Sequence, residues 1–446
     1  PMAKDNGPDN LLREFNIVFD ANRSKLNSTL LELEDSNKAK SGPRSIAVPW
    51  DERKNTLYDS FKIIHLDNPP LSPPAPIVSR LRPLTVDKAL TLLKNDTNSG
   101  LPYYTRKGPI KERVSDKFEL LLKRKDPCIL FTRTQEQRKT RNVWGYPIAD
   151  TLNEMRYYAP LLQVQKKLDY RAALVSPDLV SRRMTELILK AVDRGYKIYS
   201  VDFSSYDTSV KSQLQKVAFN YIKSLFQSNC SSDIDYISNR FSTIGILTPD
   251  GVISGEHGVP SGSTFTNEVD SIVQYAISMD LGFIKPDEIQ VQGDDGVYIL
   301  RKDNLPKLIT RFRECGLNIN EDKSYESDNF AIYLQNLYHL DYMKDGLIGG
   351  IYPVYRALNR ILYQERWSNF EDFEIAGKDY YSIRTICILE NCKYHPLFEE
   401  LVKFVLKYDK YSLTVSDQGI RKYVQMLSNT KGAGEILNHQ YGDDVS

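Results

Sequence analysis

The sequence predicts an α+β fold in which helices pack on one face of a small antiparallel sheet. Residues 196–201 form a short β-rich run, and an apolar stripe with helical spacing follows them. Two further apolar runs, at 289–292 and 297–300, flank a Gly-Asp-Asp-Gly segment, which is a hairpin signal. The order strand, helix, helix, hairpin and helix is typical of the α+β class.

The N-terminal third of the chain contains fewer regular patterns. Leucines over 26–33 indicate a helix, and the proline-dense segment 68–76 predicts an extended strap because proline fixes φ. Residues 106–141 contain twelve Lys and Arg against five Asp and Glu, a local excess of +7. The end of this basic segment, 138–147, alternates basic residues and then meets a Gly-x-Pro turn, so it predicts an extended arm.

Helical periodicity surrounds the predicted hairpin. The apolar stripe over 210–226 predicts one helix, and we expect a second from about Ser263 to a stop at Gly282. Asn304 is expected to cap a third helix, which ends at Gly316. Beyond residue 340 the pattern is mostly helical.

Composition and charge exclude several classes of protein. The 446 residues carry 59 Lys and Arg against 58 Asp and Glu, which excludes a uniformly basic coat but leaves room for a local basic channel. We expect no transmembrane span, since no apolar run approaches about 18 residues, and no signal peptide. Five scattered cysteines and five scattered histidines argue against a disulfide framework and a zinc site. Any catalytic chemistry therefore falls to carboxylates and lysines.

Three carboxylates stand where predicted strands end. Asp202 follows the run 196–201, and Asp294 and Asp295 lie in the hairpin turn. A single acid at a strand end is usually a solvated turn residue. If the strands are neighbours, however, the acids cluster and select Mg²⁺ or Mn²⁺, and two such ions about 3.5–4 Å apart suit nucleotidyl transfer. A second Gly-Asp-Asp at 442–444 has no flanking strands, and we assign it no function.

The order of these segments resembles the motifs of viral RNA-dependent RNA polymerases. Segments similar to motifs A, B and C are 202–207, 261–267 and 293–295, and those similar to motifs F, G, D and E are 139–141, 97–102, 316–324 and 333–336. The amino-acid sequences of 139–147 and of the motif B segment are most similar to picobirnavirus polymerases, with partitivirus enzymes as near relatives. The resemblance covers about residues 95–340.

The resemblance implies a right-hand architecture of fingers, palm and thumb. It divides the chain into an N-terminal extension with the strap that links the lobes, fingers with the basic arm, a palm with a fingers insertion around 225–258, and a mostly helical thumb. These units correspond to residues 1–75, 76–190, 191–340 and 341–446.

The resemblance also implies a role for each candidate residue. Asp202, Asp294 and Asp295 would be catalytic metal ligands for two Mg²⁺ ions, for which Mn²⁺ can substitute, and Lys323 would be a catalytic proton donor. The expected nucleotide-binding residues are Lys139, Arg141, Asp207, Ser261, Thr266 and Asn267. The expected contacts with the RNA template are Ser99, Gly100 and Pro102.

The implied activity is template-directed RNA synthesis from ribonucleoside triphosphates, in viral genome replication and transcription. Implied partners are template and product RNA, ribonucleoside triphosphates and a viral capsid protein, without a membrane, in the virion interior and the host cytoplasm. A reverse transcriptase shares the palm and its acids, although that family usually places a bulky side chain near the sugar. An RNA-binding structural protein would explain the basic segment but has no need of three clustered acids. Both alternatives stay open at the level of sequence.

Overall fold

The computed structural model describes residues 7–43, 46–137, 139–364 and 369–431, with the side chains of 428–431 excepted. The helices in these ranges are α1 (Pro8–Ala21), α2 (Ser28–Ala39), α3 (Trp50–Tyr58), α4 (Val86–Thr91), α5 (Lys111–Lys123), α6 (Ile148–Gln165), α7 (Pro177–Arg194), α8 (Tyr206–Ser209), α9 (Ser212–Leu225), α10 (Ser231–Thr243), α11 (Thr266–Asp280), α12 (Leu305–Glu314), α13 (Val354–Leu362), α14 (Gly377–Glu390), α15 (Phe398–Tyr408) and α16 (Asp417–Lys431). The strands are β1 (Cys128–Thr134), β2 (Thr140–Gly145), β3 (Lys197–Val201), β4 (Phe203–Ser204), β5 (Ile246–Thr248), β6 (Gly251–Ile253), β7 (Ile289–Gln292), β8 (Asp295–Leu300), β9 (Asn318–Ile319), β10 (Tyr325–Ser327), β11 (Phe330–Tyr333) and β12 (Asn336–His339). The second Gly-Asp-Asp, at 442–444, lies outside the described residues.

The predicted helices form, and their first and last residues lie close to the expected positions. α9 and α12 match the predicted spans, and α11 begins at Thr266, three residues after the expected start at Ser263. The prediction that the Asn304 side chain caps α12 is wrong: no side-chain capping bond forms, and Pro306 near the helix start instead presets the helical φ.

The predicted hairpin lies inside a four-stranded antiparallel sheet. The strand order is β10-β3-β8-β7, and all neighbouring pairs are antiparallel. In the pairing of β3 with β8, Val201 is opposite Gly296. This register brings Asp202, the next residue, to the same end of the sheet as the Asp294–Asp295 turn. The predicted α+β class is confirmed.

Helices cover both faces of this sheet. Alternate residues such as Tyr199 and Tyr298 face the large core that contains α9, α11 and α12. The intervening residues, Ile198, Val297 and Ile299, pack instead with α7 and the β11–β12 hairpin. The expectation of helices on one face only is therefore corrected: the strands are apolar on both sides, so both sides require cover.

The basic arm is a strand of a second sheet. β1 and β2 form a hairpin, β5 runs parallel to β1, and β6 completes the order β2-β1-β5-β6. The arm is extended as predicted, apart from Arg138, which lies outside the described residues. The segment between α9 and α11 thus joins the sheet of the basic arm rather than the sheet of the acids.

The N-terminal residues connect two distant parts of the chain. Leu11, Phe15 and other apolar residues of α1 and α2 share a core with α13 and α15. Glu34, which is fully buried, accepts hydrogen bonds from the amides of Val354 and Tyr355 at the start of α13. Leu57 at the end of α3 packs instead in the cluster that contains β1 and β2.

In the described part of the chain no helix is both long and apolar enough to cross a membrane.

A buried ion pair fixes α11 against the turn that precedes α7. The guanidinium of Arg171 donates to both carboxylate oxygens of Glu268, from Nη1 to Oε2 at 2.7 Å and from Nη2 to Oε1 at 2.5 Å. Both side chains have no exposed surface. Gln165 and Gln292 complete the network with further hydrogen bonds. Because removal of one partner leaves a buried charge without compensation, this pair constrains the position of α11.

We expect Glu268→Ala to lower the free energy of unfolding by about 3–5 kcal/mol, because the Arg171 charge stays buried and unpaired. The matched control is Glu186→Ala, which removes an exposed ion pair with Arg183 and is expected to cost at most about 1 kcal/mol. Urea unfolding followed by intrinsic fluorescence measures both changes. Equal unfolding midpoints for the two variants would contradict the structural importance of the buried pair.

Candidate active site

Three carboxylates meet at one end of the antiparallel sheet. Asp202 leaves β3, Asp294 lies in the turn, and Asp295 begins β8. The side chain of Asp294 is exposed, whereas Asp202 and Asp295 are partly buried. Asp295 is also supported from the next hairpin, since its Oδ2 accepts a hydrogen bond from the amide of Leu334 at 3.0 Å. The strand pairing therefore produces the acid cluster that the sequence predicted.

The three acids are held close to other charges. Burial raises the pKa of Asp295 to about 8, and the charge of Asp294 contributes. Burial by the surrounding protein also raises the pKa of Asp294 to about 6, with Asp207 adding to the effect, although the side chain itself still reaches solvent. For Asp202, burial raises the pKa while the charges of Lys323 and Lys139 oppose the shift. The protein alone does not fully compensate this negative charge.

The donor chemistry of the cluster fits a hard divalent cation. All three side chains supply carboxylate oxygens, which Mg²⁺ and Mn²⁺ prefer. Among the described residues no group of three or more His, Cys, Asp or Glu already has the spacing of a finished metal site. The three carboxylates fit the metal in donor type and in charge, whereas their spacing in this structure does not by itself form a metal site.

The helix α11 clamps the turn that carries the acids. Ser271 Oγ accepts a hydrogen bond from the amide of Gly293 at 2.7 Å, and Gln274 Nε2 donates to the carbonyl of Gly293 at 2.9 Å. Gln274 Oε1 accepts from the hydroxyl of Tyr298 at 2.7 Å. Gly293 has φ +62°, and a Cβ at Gly296 would lie 1.9 Å from Gln274 Oε1. Both glycines are thus required, one by the turn and one by the close approach of the clamp.

The residues expected at the ribose form a second group beside the acids. Ser261 Oγ donates a hydrogen bond to Asp207 Oδ2, which joins the motif A and motif B segments. Asn267 lies in the first turn of α11, and its Nδ2 is buried without a hydrogen-bond partner among the described residues. Thr266 Oγ1 donates to the carbonyl of Pro260 and so supports the loop itself.

The basic hairpin faces the acids. Lys139 lies in the β1–β2 turn, and Arg141 is opposite Arg133 in the strand register. The charge of Lys139 lowers the pKa of Asp202, and that of Arg141 lowers the pKa of Asp294. Lysine and arginine side chains that are grouped on one hairpin attract anions. The hairpin is therefore suited to a polyanion next to the acid cluster.

Two lysines from other segments reach the same region. Lys323 ends the short 3-10 turn Glu321–Lys323, and its charge lowers the pKa of Asp202. Lys40, at the end of α2, acts on Asp202 in the same direction. The sequence identified Lys323 but gave no signal for Lys40, which is brought to the acids only by the packing of the N-terminal helices.

The expected template contacts lie in a tight loop. Ser99 is fully buried, and its hydroxyl hydrogen-bonds within the loop, to the carbonyl of Gly100 and from the amide of Thr105. Gly100 has φ +61°, and a Cβ there would lie 2.3 Å from the carbonyl oxygen of Tyr146. Ser99 and Gly100 shape the loop rather than present side chains to RNA, whereas Pro102 is partly exposed. A template-binding role stays a prediction.

Several residues of the site were missed by the sequence analysis. Glu154 of α6 accepts hydrogen bonds from Ser263 Oγ and from the amide of Thr264, and so holds the loop that precedes α11. Burial raises the pKa of Glu154 to about 8. Ser271 and Gln274 carried a usable signal, since they follow Asn267 by four and seven residues and share its helix face. Glu154 carried none, because its partners are more than 100 residues away in the chain.

Comparisons with known proteins agree with this site. A family model described as viral RNA-dependent RNA polymerase matches residues 36–408. A potential RNA-dependent RNA polymerase of a human picobirnavirus is 29% identical over 94% of this chain and 84% of its own length. An RNA-directed RNA polymerase of Cryptosporidium parvum virus 1 is 26% identical, over 55% of this chain and 52% of its own length.

The fold has solved counterparts. The crystal structure of the RNA-dependent RNA polymerase of a human picobirnavirus superimposes with a TM-score of 0.79 at 26% identity. The match covers 96% of this chain and 86% of that one. A variant of the same enzyme that lacks an insertion loop gives the same TM-score and covers 90% of that chain.

We expect Gln274→Leu to loosen the 293–296 turn, because the carbonyl of Gly293 and the hydroxyl of Tyr298 lose their partner. The amides of the turn should lose about 1–3 kcal/mol of protection, measured by hydrogen exchange. Gln290→Leu is the matched control. Gln290 is a buried glutamine of β7, and its side chain donates to the carbonyl of Asp169 at 2.6 Å. Unchanged turn exchange in Gln274→Leu, or equal acceleration in the control, would contradict the clamp.

Proposed function

The chain belongs to the viral RNA-dependent RNA polymerases, and from this premise we propose which of its residues carry out RNA synthesis. It is an RNA-directed nucleotidyltransferase that uses an RNA template and ribonucleoside triphosphates, and it has the right-hand polymerase fold. The reverse transcriptase and the non-catalytic RNA-binding alternatives receive no support from the comparisons. The assignment of residues rests on the acid cluster at the end of the antiparallel sheet.

We propose that Asp202, Asp294 and Asp295 hold two Mg²⁺ ions, for which Mn²⁺ can substitute. Viral polymerases of this family generally use divalent metal ions, and the oxygen donors here fit them. When bound, such ions activate the attacking hydroxyl and stabilise charge on the leaving pyrophosphate. The register of Val201 with Gly296 and the clamp on the turn keep the three side chains together.

Lys139 and Arg141 are proposed to bind the triphosphate. Both act by charge on carboxylates of the cluster, and this supports a role in binding phosphates beside the acids. Arginine and lysine pair well with phosphate oxygens.

Asp207, Ser261, Thr266 and Asn267 are proposed to recognise the sugar. Ser261 orients Asp207, Thr266 supports the loop, and Asn267 presents an amide that can donate and accept. A site that hydrogen-bonds a hydroxyl rejects the analogue without it, because its own polar groups then stay unpaired.

Lys323 is proposed to donate a proton to the departing pyrophosphate. Its ammonium carries a transferable proton close enough to Asp202 to affect that carboxyl. General acid catalysis typically contributes about 10²–10⁴-fold.

The remaining proposals concern organisation and surroundings. The domain boundaries 1–75, 76–190, 191–340 and 341–446 stay proposals, and the bridging position of α1 to α3 supports the linking role of the N-terminal unit. Ser99, Gly100 and Pro102 are proposed to form the template loop. A viral capsid protein as partner, and action in the virion interior and host cytoplasm, follow from the family resemblance.

We expect Asp202→Asn and Asp295→Asn to reduce RNA synthesis by more than about 10³-fold, because loss of a single charge-stabilising donor already costs about 10²–10³-fold in other enzymes. Incorporation of labelled ribonucleotide on an RNA template measures activity, and fluorescence anisotropy measures RNA binding, which should persist. Asp443→Asn, in the second Gly-Asp-Asp, is the control and should leave synthesis unchanged. Synthesis at the wild-type rate by either active-site variant would refute the assignment.

We expect Asp207→Ala and Asn267→Ala to lower kcat/KM for ribonucleotides far more than for deoxyribonucleotides. Each lost bond to the 2′-hydroxyl should reduce discrimination about 5- to 150-fold, equivalent to about 1–3 kcal/mol. Single-nucleotide addition on one primed RNA template compares both substrates. If the wild-type enzyme has no ribose preference, or both variants keep it unchanged, the proposed recognition of the sugar fails.

A further inference from the structure

A buried acid holds the loop of residues 261–265, which leads into α11. Glu154 extends from α6, and only 3% of its surface is exposed. Its Oε2 accepts a hydrogen bond from Ser263 Oγ at 2.5 Å, and its Oε1 accepts one from the amide of Thr264 at 3.1 Å. Ser263 Oγ in turn accepts from the amide of Phe265 at 3.1 Å, directly before the first residue of α11. One side chain thus fixes both the loop and the start of the helix.

The loop lies between the basic hairpin and the helix that clamps the acid turn. The amide of Trp144 in β2 donates to the carbonyl of Ser261 at 3.2 Å. A Cβ at Gly262 would lie 1.8 Å from the carbonyl oxygen of Trp144, so the loop packs directly against the hairpin. Beyond the loop, Ser271 and Gln274 of α11 bind the backbone of the acid turn. A displaced loop would therefore move the hairpin with respect to the acids.

Within the described residues Glu154 forms no ion pair. The positive charge of Arg240 acts on it, but Arg240 donates from Nε and Nη2 to both carboxylate oxygens of Asp150. Tyr146 and Cys128 are also within range of the charge of Glu154, and burial raises the pKa of each well above its ordinary value, so both stay neutral. A negative charge on Glu154 is therefore stabilised chiefly by its two hydrogen bonds with the loop.

The strength of this contact depends on pH with a definite sign. Burial raises the pKa of Glu154 to about 8, whereas the hydrogen bonds from Ser263 and Thr264 act to lower it. Because the loop bonds favour the ionised acid, the ionised acid in return binds the loop more tightly than the neutral acid does. Hydrogen bonds to an ionised acceptor are also roughly twice as strong as those to a neutral one. The loop is thus held more firmly as the pH rises through about 8.

We propose that Glu154 is a positioning residue for nucleotide addition, which holds the loop 261–265 between the basic hairpin and α11 and holds it more firmly in its ionised form. The proposal rests on the proposed active site, in which the hairpin binds phosphates and the acid turn binds metal. Glu154 acts through the loop rather than on the substrate. Its ionisation therefore changes the geometry of the site and leaves the reacting groups themselves unaltered.

Two substitutions separate the contact from its charge. Glu154→Gln is neutral at every pH but keeps an acceptor for the amide of Thr264. It should match the wild type below pH 8 and fall behind it by about 5-fold in kcat/KM above pH 8, the difference between a hydrogen bond to a charged and to a neutral group. Glu154→Leu loses both bonds and should lower kcat/KM about 10- to 100-fold at every pH.

Single-nucleotide addition by the full-length protein on one primed RNA template measures kcat/KM from about pH 6.5 to about pH 9.5, on both sides of the pKa of Glu154. The ratio of wild type to Glu154→Gln removes the pH dependence of the chemistry that both proteins share. Infrared difference spectra between these two proteins follow the Glu154 carboxyl itself, whose neutral form should disappear with a midpoint near pH 8. Fluorescence anisotropy should show unchanged RNA binding.

Asp379→Asn is the matched control. Asp379 is also a buried acid, and its carboxylate also accepts hydrogen bonds from a backbone amide and a serine hydroxyl, both of Ser416, on the helix α14. This variant should keep the wild-type pH profile of nucleotide addition.

Each outcome decides between the proposals. A ratio of wild type to Glu154→Gln that does not change with pH, or wild-type kcat/KM in Glu154→Leu, would overturn the role of Glu154. If Glu154→Leu does not fold, the ratio and the infrared midpoint still decide, and a carboxyl that is ionised throughout the range would overturn the proposal. An equal change of profile in Asp379→Asn would also overturn it. If Asp202→Asn is inactive while the ratio stays constant, only this inference fails, whereas normal synthesis by Asp202→Asn would refute the proposed active site itself.

Discussion

The hydrogen bonds between α11 and the Gly293–Asp295 turn are the constraint on which the site depends. A turn with positive φ that carries two acids is unfavourable by itself, because the carboxylates repel each other and the backbone groups need partners. Ser271 and Gln274 satisfy the amide and the carbonyl of Gly293 from inside the protein. The same helix is fixed at Glu268 by the buried pair with Arg171. A shift of α11 would therefore move the acid turn and the sugar-side residues together.

Charge is separated across the site although the chain as a whole is nearly neutral. The net charge is +1, yet the acids converge at one end of the sheet while Lys139 and Arg141 of the basic hairpin act on them by charge. The N-terminal helices add Lys40 to this basic side. The positive charge of the basic residues compensates the negative charge of the acids only in part. Such an arrangement is stabilised when cations bind between the acids and a polyanion binds to the hairpin.

Much of the central fold could be predicted because its signals are local. The hairpin around Asp294, the strand before Asp202 and the helices over 212–225 and 305–314 follow from periodicity and turn residues that lie next to each other in the chain. Predictions of local structure were wrong where contacts with residues far away in the chain determine that structure. α11 begins at Thr266 because the preceding residues are held by Glu154 of α6. The second covered face of the sheet depends on α7, which periodicity alone cannot place.

The sequence by itself determined the residue types and their order: acids at strand ends, a basic arm, and apolar helices around the hairpin. Those properties can be read from residue spacing, because periodicity and composition do not depend on tertiary contacts. Tertiary structure decided which of these groups meet. The pairing of Val201 with Gly296 joins acids that are more than 90 residues apart, and folding brings Asp294 within range of the charge of Asp207. Their ionisation depends on burial and on the charges nearby, and both quantities exist only once the chain is folded.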